Sequence, residues 1–140
     1  MLSNLKLKKE ASPLEVHHHD LRIISDELFS PLTGEKKDHS PALQRIWSQA
    51  QADFKSGWLE EEEAKLLAST ILRVKELNKE RLAYVDRYHG IQNYDHSSST
   101  RSKNSANVQV FAQNELDRQW KDWVIRGRAE VNAFLSSLSS

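Results

Sequence analysis

Residues 115–138 read ELDRQWKDWVIRGRAEVNAFLSSL. Leu116, Trp120, Trp123, Val124, Val131, Phe134 and Leu138 recur in it at steps of about three, four and seven residues. A helix turns once in about 3.6 residues, so this spacing gathers all seven on one side of a helix. The stripe predicts a helix over about 108–138, with Trp120 and Trp123 as core anchors. Gly127 lies on the same stripe. Glycine costs about 1 kcal/mol against alanine inside a helix, so its presence here reads as room for a bulky aromatic from another helix.

Upstream, the stretch His96–Ser105 contains no apolar residue, and 93–107 reads as a mobile serine-rich loop. Before it, Ala64, Leu67, Ile71, Val74, Leu77, Val85 and Tyr88 follow the helical period, and no glycine or proline intervenes until Gly90. This predicts a second long helix over about 58–89. Glu60, Glu61, Glu62 and Glu63 crowd its start, where carboxylates favour the positive end of the helix dipole; the rival reading is an acidic binding patch. Asn78 and Arg81 fall near its apolar seam, Asn78 either pinning register against a neighbour or lying at the seam's edge. A shorter helix over about 41–54 opens at Ser40-Pro41, with the Ser40 hydroxyl as its cap. It shows Leu43, Ile46, Trp47, Ala50 and Phe54 on one face, Trp47 being a third anchor, and stops at Ser56-Gly57. Residues 1–39 read as a polar tail in which Leu21, Ile24 and Leu28 allow one short helix at 20–29. The expected fold is all-α: an antiparallel three-helix bundle over 40–138, preceded by the tail or short extra helix.

The 140 residues suit one domain. Lys plus Arg and Asp plus Glu are 20 each, which argues against a nucleic-acid binder working through a bulk basic surface. No apolar run reaches the ~18 residues of a membrane span. Residues 1–9 lack the apolar run of a secretory signal. Without cysteine there is no disulfide, thiol catalysis or Cys-ligated zinc. His17, His18, His19 and Asp20 invite a metal reading, but consecutive residues point in different directions and the helical His-x-x-x-His spacing is absent. The three histidines read instead as a solvated polar segment, with pH sensing as the functional alternative. No phosphate-binding loop, dinucleotide fingerprint or nucleophile elbow occurs, so neither an enzyme nor a cofactor is expected. The cations Lys65, Arg73, Lys75, Lys79, Arg81 and Arg87 recur along the second long helix. They read either as a charge-balanced solvent face or as a docking face for an acidic partner, with Tyr84 and Tyr88 adding contact area.

The order Pro41-Ala-Leu-Gln-Arg-Ile-Trp47-Ser-Gln-Ala50, Phe54-Lys-Ser56-Gly57, Glu60–Glu63, Leu66-Leu67 and Lys75-Glu-Leu-Asn78 resembles a repeat domain of receptor-associated protein. Leu43, Ile46, Trp47 and Ala50 match that family's Leu-x-x-Leu-Trp-x-x-Ala pattern, and Phe54, Ser56 and the glutamates approximate its second motif. The resemblance implies a three-helix domain of an endoplasmic-reticulum chaperone. Lysines of its second helix would enter calcium-organised acidic pockets in the Cys-rich repeats of LDL-receptor-type receptors. Acidification would protonate histidines and release the client. Carried onto this chain, the implied partner-binding residues are Lys75 and Lys79, with Lys65 and Arg73 next. The family carries three such domains where this chain has room for one, and the chain ends Leu138-Ser139-Ser140 instead of a retrieval signal. Without the resemblance, the residues read as a cytoplasmic helical adaptor, an assembly chaperone or a small regulator of phage or bacterial kind.

Overall fold

A computed structural model describes residues 12–33, 35–92 and 103–139. Ser12 accepts a hydrogen bond from the amide of Glu15 (3.2 Å), and Pro13 takes the first helical position. Both favour a helix start, and α1 runs Pro13–Leu28. It therefore begins well before the short helix expected at 20–29 and takes in much of the supposed tail. Leu14, His17, Leu21, Ile24 and Leu28 keep one heptad-like stripe, in which the polar His17 masks the period.

The second helix, α2, spans Ser40–Lys55. Its start is held differently from the expectation. Asp38 accepts from the Ser40 amide (2.9 Å), while the Ser40 hydroxyl accepts from Asn78 (3.3 Å). Gly57, at φ 83°, turns the chain in a conformation that suits glycine. Next comes α3, Glu61–Gln92, whose Glu63 carboxylate accepts from the Glu60 amide (2.9 Å), one half of a capping box. The last helix, α4, covers Lys103–Ser139. Residues 103–107, expected in the serine-rich loop, are thus helical; 93–102 lie outside the described residues. All regular structure among the described residues is helical.

Pairings far apart in sequence set the directions. Arg73 meets Glu130, Glu80 meets Trp123 and Gln92 meets Gln113, so α3 and α4 run antiparallel. Ser40 meets Asn78 near one end of α2, and α2 also opposes α3. α1 packs against α2, α3 and α4. Its His17 binds Asp53 near the end of α2, its His18 donates to the Leu135 carbonyl, and its last carbonyl receives Arg81. The shared core holds Leu21, Leu28, Leu43, Leu67, Leu77 and Leu135. Leu135 takes the fully buried position, while Phe134 beside it is only half-buried. Phe54, expected on the core face of α2, is exposed, and Trp47 is half-buried.

At about 1.5 Å per residue, α1 and α2 reach about 24 Å, α3 about 48 Å and α4 about 55 Å. The two long helices therefore outrun the short pair. Val108, Val110 and Phe111 are exposed on the extension.

Candidate protein-docking face

Phe29, Tyr84, Trp120 and Trp123 form one aromatic cluster. Trp120 stacks on Trp123 at 4.9 Å, Tyr84 meets both at 5.4 and 5.6 Å, and Phe29 meets Trp123 at 5.4 Å. The Phe29 ring also presses on Gly127, where an added Cβ would lie 2.6 Å from its Cε1. The aromatic seam is thus filled by the chain's own side chains.

The cations of α3 separate by geometry. Arg73 donates to Glu130 (2.7 Å) and lies 3.5 Å from Glu80, whose other oxygen accepts from Trp123 Nε1 (2.8 Å). The Glu130 hydrogen bond, opposed by partial burial, raises the Arg73 guanidinium above its ordinary value. This makes Arg73 a tie between α3 and α4. Arg81 is buried and forms no ion pair with a carboxylate among the described residues. It donates to the Leu28 and Ser30 carbonyls (2.6 and 3.0 Å) and lies 5.1 Å from the Trp120 ring centre. Burial lowers its pKa, while carbonyls at the negative end of α1 and the ring face balance the charge. Asn78, 1% exposed, uses both ends of its amide. Its oxygen accepts from the His39 amide (3.1 Å), and its nitrogen donates to Asp38 (2.8 Å) and Ser40. Both seam residues thus hold the connection between α1 and α2.

Lys65 makes weak pairs with Glu61 and Glu62 at 3.5 and 3.9 Å. Lys75 and Lys79 are exposed and make no ion pair among the described residues. Both lie on the solvent side of α3, on a stripe with Lys65, Ala68 and Leu72, and Arg73 lies outside it. Lys75 lines a groove of about 640 Å³ between α2 and α3, together with Pro41, Leu43, Trp47, Ile71 and Leu72. Leu72 is 59% exposed. Sequence reading passed over it because it sits among charges, away from the core stripe; an apolar residue on a charged face was the available signal.

The histidine run is not the solvated segment expected. His17 is 3% exposed and its Nε2 lies 2.7 Å from an Asp53 carboxylate oxygen. His18 Nε2 donates to the Leu135 carbonyl at 3.0 Å. Only His19 faces solvent. A helix spreads consecutive residues by about 100°, which sends each to a different neighbour. Among the described residues no three His, Asp or Glu side chains are placed to hold a metal ion, and no helix is long and apolar enough to cross a membrane. Comparison with protein-family models, curated proteins and solved structures returned no match.

Proposed function

We propose that the chain is a non-enzymatic protein-binding module of receptor-associated-protein type, a chaperone that engages calcium-loaded LDL-receptor-type repeats through Lys75 and Lys79. In this reading α2, α3 and α4 are the family's antiparallel three-helix bundle, α1 is an added element, and the place of work is the endoplasmic reticulum. The observation that carries it is the contrast among the cations of α3. Arg73 and Arg81 are consumed inside the fold, Lys65 has carboxylates at hand and Arg87 lies over the Tyr84 ring at 5.4 Å, whereas Lys75 and Lys79 stand one turn apart with no ion pair among the described residues. Exposed ammonium groups meeting a clustered acidic pocket give binding that weakens with salt. A second reading, a cytoplasmic adaptor or assembly chaperone, draws on the apolar groove beside Lys75.

Binding to immobilised, calcium-loaded receptor repeats tests the first reading. The native chain should bind, release on calcium chelation and weaken from low to physiological salt. Lys75→Ala/Lys79→Ala should lose about tenfold or more in affinity, equivalent to about 1.4 kcal/mol. No binding by the native chain removes the receptor; binding unchanged in the double variant moves the site off these lysines.

A further inference from the structure

We propose that the α2–α3 face pairs with a second copy of itself, Trp58 of each copy entering the groove of the other and Glu60 and Glu61 facing Lys75 and Lys79. Trp58 is 68% exposed, yet its backbone is held: its amide donates to the Asp53 carbonyl at 2.8 Å, directly after the Gly57 turn. Its neighbour Leu59 is buried in the core. The ring is therefore presented to solvent from a fixed turn, with exposed Phe54 near it in sequence and the carboxylates of Glu60 and Glu61 immediately following.

That turn stands at one end of the α2–α3 face. The groove lined by Pro41, Trp47, Leu72 and Lys75 extends toward the other end, since α2 and α3 are antiparallel and Ser40 lies beside Asn78. A two-fold axis lying in the plane of the contact and perpendicular to the helices brings the aromatic, acidic end of one copy over the apolar, basic end of the other. Both contacts then form twice, as an isologous interface requires. The arrangement covers Leu72 and Trp58 and gives Lys75 and Lys79 the carboxylate partners they lack among the described residues. The competing pairs of Glu61 and Glu62 with Lys65 are surface pairs that cost little to rearrange.

Two helices side by side over the length of α2 offer a footprint of roughly 500 Å² per copy, less than the roughly 800 Å² of a standard partner surface. The dimer is accordingly weak and reversible. It covers Lys75, so it competes with the docking proposed above; only that consequence rests on the earlier reading.

Sedimentation equilibrium of the full chain, from micromolar to near-millimolar concentration and without receptor, tests the proposal. The native mass should rise toward two copies and no further, less steeply at high salt. Trp58→Ala and Lys75→Glu should each weaken association by about tenfold. Combining Lys75→Glu with Glu61→Lys should restore most of the loss, and circular dichroism should show each variant folded. A mass of one copy throughout, growth beyond two copies, or a dimer indifferent to Trp58→Ala would overturn it. Receptor binding is measured separately on dilute chain, so either idea can fail alone.

Discussion

At Gly127 two residue-level effects oppose each other. Alanine would gain up to about 1 kcal/mol in helix propensity. Its Cβ would also lie 2.6 and 2.9 Å from two atoms of the Phe29 ring, which is itself buried against Trp123. Overpacking a filled core costs about 1–3 kcal/mol, so Gly127→Ala should be net destabilising, by about 1 kcal/mol in urea unfolding. A more stable variant would mean that the ring gives way easily. His39 is governed by solvation instead. Burial depresses its pKa below 6.5, against the opposing pull of Glu27. The unfolded chain takes up a proton near 6.5 that the folded chain resists. His39's contribution is therefore complete above that pH, falls as pH drops toward the folded value, and levels off below it. His39→Gln should lose less stability than the native chain between about pH 7.5 and about pH 5; equal losses would clear His39 of the effect. Asp38 acts lower. The Asn78 amide, then the Ser40 amide and hydroxyl, hold its pKa at about 2, so its contribution is lost only between 3.8 and about 2.

At the scale of elements, α1 is the piece whose place could not be read in advance. His17 sits on its apolar stripe and Ser25 is buried, so a hydrophobicity count sees only a fragment of the helix. In the fold, Ser25 satisfies its own hydroxyl on the Leu21 carbonyl (2.7 Å) and His17 meets Asp53. The element supplies Leu21, Ile24, Leu28 and the adjacent Phe29 to the core, and its carbonyl end neutralises Arg81. Removing residues 1–30 should strip four apolar side chains from the core and leave Arg81 buried without its acceptors. Loss of cooperative thermal unfolding, with binding of a hydrophobic dye, is the expected result. An unchanged melting midpoint would show α1 to be an accessory. The starts of α2 and α3 carry a smaller lesson. Ser40-Pro41 marks a helix beginning as expected, while α3 begins at Glu61 instead of near Trp58; the groups that hold the two starts are Asp38 and Asn78, and, within the glutamate run, Glu63.

At the scale of the whole molecule, three helical periods and the absence of an alternating pattern were enough to determine an all-α chain. Periodicity is a property of neighbours in sequence, and each stripe announces its helix whatever it later packs against. The Trp120 and Trp123 stripe, the breaks after Ser30-Pro31 and at Ser56-Gly57, and a crowd of cations on α3 were legible for that reason, although that long helix begins at Glu61 and not near Trp58 as expected. What each polar residue does was not. Arg73 and Lys75 are two residues apart and chemically alike, yet one bridges to Glu130 in α4 and the other lines an open groove beside α2. The side chains that tie α1 to α4 find partners more than 100 residues away, as when Arg22 donates to Asn132 at 2.8 Å. The sequence by itself determined which segments coil and which side of each is apolar, because those follow from backbone geometry and side-chain spacing. Only the tertiary structure decided which charges are spent inside, why Gly127 must stay small and where a docking groove is left open, because these depend on distances between atoms that the chain order does not contain.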